Sequence, residues 1–161
     1  MQSLEIIEAN LSRTDHQGAV LNLTDAYALD PMGNGKSLPT EVRRALIPGL
    51  QQHPTTVIFL AYDGTIPIGI ATCFFGFSTF NARPLINIHD LAVLPEYRGK
   101  GIGRRLLQAV EDKARKANCC KLTLEVQENN HTARRSYETF GFAQALYREA
   151  AGGAVFLAKA L

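Results

Sequence analysis

The stretch from Leu91 to Leu107, LAVLPEYRGKGIGRRLL, constrains this chain more than any other. It passes from apolar residues suited to a strand, through a glycine-rich loop, into the start of a helix. Gly99, Gly101 and Gly103 stand at alternate positions. Glycine there lets the backbone take positive φ and lets a bulky ligand approach closely. The N–H groups that open the next helix, at its positive dipole end, suit an anion. Arg98, Lys100, Arg104 and Arg105 add positive charge beside those donors. The stretch therefore reads as a cradle for a pyrophosphate.

The spacing selects among phosphate motifs. A dinucleotide fingerprint G-x-G-x-x-G counted from Gly99 needs glycine where Arg104 stands, and counted from Gly101 it needs glycine where Leu106 stands. Both registers fail. Gly35-Lys36-Ser37 has the tail of a P-loop, but Asp30 stands where the first glycine belongs. What fits is R/Q-x-x-G-x-G/A, filled by Arg98, Gly101 and Gly103 after Leu91-Ala92-Val93. This resembles the acetyl-CoA-binding motif of the GNAT (general control-related N-acetyltransferase) superfamily. Downstream, Asn130, Ala133, Tyr137, Gly141 and Phe142 fill N-x-x-A-x-x-x-Y-x-x-x-G-F, similar to that family's second signature. The resemblance covers about residues 87–142.

Hydropathy patterning supplies the elements. Residues 3–8 read as a strand. Thr14 and Gln17 fit a capping box for a helix that stops at Asp30-Pro31. Pro39 suits the start of a second helix, which Pro48 is expected to kink or end. Residues 55–62 and 66–80 form a hairpin about Asp63-Gly64, with Gly69 and Gly76 marking bulges or close backbone approach. Strand 85–93 precedes the glycine loop. A helix over 103–117 carries Ile102, Leu106, Val110 and Ala114 on one side. A strand over 121–126, a short helix capped by Asn129 or Asn130, and strands over 142–148 and 154–159 complete the chain.

The expected order is β-α-α-β-β-β-α-β-α-β-β, an α/β fold with a mixed, largely antiparallel sheet flanked by helices. A right-handed crossover makes one parallel pair. This is the GNAT element order, in which the two parallel strands splay apart around the cofactor's thioester arm. One domain over residues 1–161 is expected at this length.

A net charge of +2 gives no reason to expect a nucleic-acid surface. The apolar runs fall short of a membrane span, and MQSLEIIEAN has no signal-peptide pattern. Cys73, Cys119 and Cys120 do not form a disulfide framework, which favours a reducing, cytoplasmic setting. No metal is expected. Oligomeric state is left open, a homodimer included.

The resemblance implies acetyl transfer from acetyl-CoA to a primary amine, with a small molecule as the expected acceptor. Alternatives are a protein N-terminus or lysine as acceptor, or a non-catalytic CoA-binding regulatory module. Transfer needs a neutral amine, a held thioester carbonyl and a proton for the departing thiolate. The resemblance gives Tyr137 the role of proton donor, and Asn130 and the backbone of Leu91, Ala92 and Val93 that of holding the cofactor's arm. Arg98, Gly99, Lys100, Gly101, Ile102, Gly103 and Arg104 make up the pyrophosphate loop. For the base, His89 and Asp90 are the candidates, His89 having the ordinary pKa nearest neutrality. Strand alternation turns only one of the two to the cleft unless a bulge intervenes. Asp30 and Glu125 are further options. Asp25, Tyr27, Asp30, Phe74, Phe75 and Phe77 are candidates to line the acceptor site, where acid and aromatics suit a cation.

Overall fold

The computed structural model describes residues 3–146 and 148–161. They form two compact units, one running to Leu124 and the other Glu125–Leu161. In the first, β1 (Leu4–Glu8) is followed by α1 (Thr14–Leu29) and α2 (Thr40–Gln52). Then come β2 (Thr56–Asp63), β3 (Ile66–Ser78), β4 (Arg83–Val93), α3 (Ile102–Lys116) and β5 (Leu122–Leu124). The strands lie in the order β1-β2-β3-β4-β5. The first four are antiparallel and β5 runs parallel to β4. This is the mixed, largely antiparallel sheet read from the sequence.

Val57 to Ala61 are all buried, because both faces of the sheet are covered. On one face, Ala19, Val20 and Leu23 of α1 and Ile47 of α2 pack on Ile58, Leu60, Ile70 and Ala92. On the other lie Ile102, Leu106, Leu107 and Val110 of α3, all at most 1% exposed. A Cβ on Gly69 would meet the Ala92 carbonyl at 3.1 Å and Leu106 at 3.3 Å. Glycine there is what lets β3, β4 and α3 close together.

Several local expectations change. Thr14 begins α1 without a capping box. Asn10 organises the entry instead, donating its N–H to His16 Nδ1 at 2.9 Å and accepting the Ser12 N–H on Oδ1 at 2.9 Å. Pro48 neither ends nor shortens α2, which continues to Gln52. Only one turn follows the proline, and Ile47 and Leu50 stay anchored in the core. The strand expected over 121–126 is reduced to Leu122–Leu124.

In the second unit, α4 spans His131–Phe140. Asn130 Oδ1 accepts the Ala133 N–H at 3.2 Å, so the predicted N-cap forms. Gly141 closes the helix at φ 115°, its N–H donating to the Tyr137 and Glu138 carbonyls. The two expected final strands do not form among the described residues. Leu146 and Gly153 make an isolated antiparallel bridge around a 3-10 turn at Glu149–Ala151. Tyr147, within the expected strand 142–148, lies outside the described residues. Val155, Phe156 and Leu157 are consecutive apolar residues without alternation, and all are exposed. A lone hairpin is marginal in water, and one bridge does not grow into a ladder. Among the described residues no helix is long and apolar enough to cross a membrane.

Candidate active site

The parallel ladder is short. β4 and β5 pair only at Ile86–Leu122, Asn87–Thr123 and Ile88–Leu124. β4 continues to Val93, so its last residues have no β5 partner. Leu94 donates its N–H to the Ile68 carbonyl across the β3 side. By strand alternation the peptide groups of Leu91 and Val93 point to the other edge, where β5 has ended. The strand thus presents a short polar edge of the kind an extended ligand can pair with. Ala92 points its carbonyl to β3 and packs its side chain beneath α1.

That edge runs directly into the glycine loop. Pro95–Tyr97 forms a 3-10 turn, then Gly99 and Gly101 take φ 73° and 76°. Gly101 is the N-cap of α3 and, being glycine, supplies no side chain to its N–H groups. The first intrahelical bond is from Arg105 N–H to the Gly101 carbonyl, 3.1 Å. The N–H groups of Ile102, Gly103 and Arg104 precede that ladder and lie at the positive end of a 15-residue helix. A Cβ built on Gly99, Gly101 or Gly103 would meet nothing within 4 Å. The loop is therefore open on its ligand side, and its fit to a pyrophosphate rests on that opening and on the donors behind it. Lys100 Nζ bonds the Glu96 carbonyl at 3.0 Å and lies 5.1 Å over the Tyr97 ring. Arg98 Nε donates to the Val93 carbonyl at 3.0 Å and Nη2 to Asp30 Oδ2 at 2.5 Å.

The base candidates sit on a β-bulge. Thr72 pairs with Asp90 but Cys73 pairs with Ile88, leaving His89 as the extra residue of β4. The bulge reverses the alternation. Ile86 and Ile88 share the α3 face with Leu91 and Val93, whereas Asp90 and Ala92 face α1. Simple alternation would put Ile86, Ile88 and Asp90 on one face; the bulge separates Asp90 from the other two. The bulge is the exception allowed for in the expectation that alternation turns only one of His89 and Asp90 to the cleft, and with it both reach the same side. The His89 ring stands edge-on to Phe74, centroids 5.7 Å apart, and Phe74 is edge-on to His53 at 5.1 Å. Phe74 is two residues from Thr72 on one strand and shares its face with Asp90.

Burial pushes the Asp90 carboxyl up, with the neighbouring His89 pulling it back. Tyr27 of α1 is pushed up by burial, then by Asp90 and Asp30. Tyr27, Asp90, His89 and Phe74 thus share one face of β3 and β4. The other proposed acceptor-side residues disperse. Asp25 bonds Arg43 at 2.6 Å and the Leu38 N–H at 2.7 Å, a structural use. Phe75 pairs with Ile86 on the α3 face, and Phe77 is 64% exposed. A cavity of about 630 Å³ opens beside His53, lined also by Glu8, Asn10, Gln51 and Thr56. No local signal in the sequence marks this cavity or the edge-on Phe74–His53 contact, because both join segments far apart in the chain.

In the second unit Tyr137 lies on the half-buried stripe of α4 with Ala133 and Phe140. Its ring is edge-on to Phe142, with centroids 6.0 Å apart.

Residues 22–142 match the model of the acetyltransferase (GNAT) family. An uncharacterised N-acetyltransferase, YhfO, of Bacillus subtilis is 32% identical over 95 residues, 59% of this chain and 63% of that protein. The bovine thialysine N-ε-acetyltransferase is 37% identical over 79 residues, 49% of this chain and 46% of that protein. The chain thus aligns with less than two thirds of the length of these relatives. Among solved structures, an aminoglycoside N-acetyltransferase in complex with CoA superposes with a TM-score of 0.76 at 18% identity, covering 98% of this chain and 95% of that one.

Proposed function

Because the chain belongs to the acetyltransferase (GNAT) family, we propose that it moves the acetyl group of acetyl-CoA to a primary amine of a small molecule by direct attack. The observation that carries this reading is the continuity of the open β4 edge at Leu91–Val93 with the loop 98–104 at the start of α3. An extended arm ending in a pyrophosphate matches both parts. The thialysine and aminoglycoside enzymes among the similar proteins support a small-molecule acceptor.

Acetyl-CoA supplies the activated acyl group. The N–H groups of Ile102, Gly103 and Arg104 and the charge of Arg98, Lys100 and Arg104 hold its phosphates. The Leu91 and Val93 peptides hold the arm in strand fashion, with Asn130 a further contact by the family resemblance. His89 accepts the proton of the attacking ammonium, directly or through one water. Its exposure at the bulge leaves it open to solvent. Asp90, behind it and under Tyr27, provides the negative charge that favours a cationic amine there. Tyr137 Oη is the proton donor to the departing thiolate, a role that rests on the Asn130–Phe142 motif.

The test is a panel of amines with acetyl-CoA, followed by thiol release. Aminoglycosides, lysine analogues and peptides with free N-termini are included. Turnover is expected on small amines. Turnover confined to peptides would move the acceptor to proteins, and CoA binding without turnover on any amine would favour a regulatory module. Tyr137→Phe is expected to keep CoA affinity and lower kcat by ~10²-fold, the scale of general acid catalysis. A variant with wild-type kcat, where chemistry limits the rate, removes Tyr137 from this role.

A further inference from the structure

Arg98 of the glycine loop has an ion-pair partner that is distant in sequence. Its Nη2 meets Asp30 Oδ2 at 2.5 Å while its Nε donates to the Val93 carbonyl at 3.0 Å. The two side chains differ in exposure: 12% for Asp30 and 52% for Arg98. Asp30 is the C-cap of α1, and its Oδ1 accepts the Met32 N–H at 2.8 Å. Its backbone carbonyl accepts the N–H groups of Gly33 and Gly35. The carboxylate is therefore a fixed, shielded anion, rigidly placed by the turn after α1. The guanidinium is the more exposed member of the pair.

We infer that Asp30 is a positioning residue for the pyrophosphate loop, holding the Arg98 guanidinium against the end of β4 so that the loop is set before CoA arrives. An arginine has five N–H donors, and these two bonds leave others to meet a phosphate oxygen. Two anchors on one planar group fix its plane, which removes rotamer entropy that binding would otherwise cost. Arg98 beside it also holds the Asp30 carboxyl below the usual carboxylate range, so the pair persists further into acid than an isolated carboxylate would stay ionised. The α1–α2 turn and the phosphate loop are thereby tied as one piece. This inference rests on the reading of residues 98–104 as a CoA site.

The experiment is a double-mutant cycle read by calorimetric titration with CoA. Asp30→Asn keeps the oxygen that bonds Met32 and removes the charge, so the turn survives while Arg98 loses its anchor. Asp30→Asn is expected to raise the Kd for CoA by ~3- to 30-fold, the range for partners in one network. Arg98→Met is expected to weaken binding at least as much, and the double variant no further than Arg98→Met alone. In turnover, Asp30→Asn raises KM for acetyl-CoA while kcat at saturation stays within ~3-fold of wild type. Should Asp30→Asn fail to fold, Asp30→Ser, with a capping oxygen and no charge, replaces it in the cycle. If the wild type does not bind CoA, the functional reading and this inference fall together. If it binds and Asp30→Asn binds equally well, or the two losses add, this inference alone is overturned. A fall in kcat with KM unchanged would also overturn it.

Discussion

His89 and Asp90 are adjacent on a strand, and alternation alone separates them to opposite faces. The extra residue opposite Thr72 and Cys73 brings both to the face under α1. Their roles can then be split by their surroundings: His89 exposed against Phe74, Asp90 half-buried with its carboxyl pushed up. His89→Gln is expected to lower kcat/KM by ~10²-fold and to abolish the acidic limb of its pH profile. Asp90→Asn should keep that limb. The reverse pattern, a limb lost in Asp90→Asn and kept in His89→Gln, assigns the base to Asp90. Asp90 also makes a stability prediction. A carboxyl raised in the folded state favours folding while protonated, and that contribution is lost as pH rises from the unfolded value near ~3.9 through the raised folded value. Asp90→Asn should therefore melt above wild type at pH 7, with the difference closing in acid below ~4. Each kcal/mol gained appears as ~2–4 °C in a chain of this length. An equal or lower melting temperature at pH 7 would mean that the carboxylate carries no net desolvation cost.

The element that organises the site is the passage from β4 into α3, and its start at Gly101 separates stability from binding. Gly103 is the second residue of α3, helical, with nothing within 4 Å of an added Cβ. An aspartate in a first helical turn is favourable to the dipole by ~0.3–1 kcal/mol. Gly103→Asp should leave the fold as stable as wild type or slightly more so, yet raise the Kd for CoA at least ~10-fold by placing an anion in the cradle. Unchanged affinity by calorimetry in a folded variant would remove the pyrophosphate from this helix end. This passage was legible in the sequence because everything that makes it is local: the apolar strand end, three alternate glycines and the helical spacing of Ile102, Leu106 and Val110. The bulge at His89 was not legible, since it is a matter of register against Thr72 and Cys73. Neither was the Asp30–Arg98 pair, whose members meet only through the packing of α1 on the sheet. The final strands failed for the opposite reason. Their apolar residues were visible, but a strand exists only where a neighbouring strand pairs with it, and composition does not report pairing.

At the scale of the molecule, Cys73 is a built-in reporter of global opening. It sits mid-sheet between Val57 and Ile88, is 0% exposed, and burial pushes its thiol up to about 12. Thiolate is the reactive form, so Cys73 is protected twice, by lack of access and by lack of ionisation. Cys119 and Cys120, in the turn between α3 and β5, are only partly buried. Alkylation followed by mass spectrometry should therefore label Cys119 and Cys120 in the native protein and Cys73 far more slowly. Cys73 lies within the buried runs of β2 and β3, so labelling there should require cooperative opening of the sheet rather than a local one. A ligand that binds only the folded chain suppresses such opening by the factor 1 + [L]/Kd. Desulfo-CoA, which carries no competing thiol, at 100 times its Kd should then slow Cys73 labelling by ~100-fold, equivalent to ~2.7 kcal/mol. The Cys119 and Cys120 rates should barely change, because neither needs the sheet to open. Fast labelling of Cys73 in the free protein would contradict its burial in an intact sheet. Slow labelling that desulfo-CoA leaves unchanged would mean that the nucleotide does not bind the folded chain, whatever the glycine loop resembles.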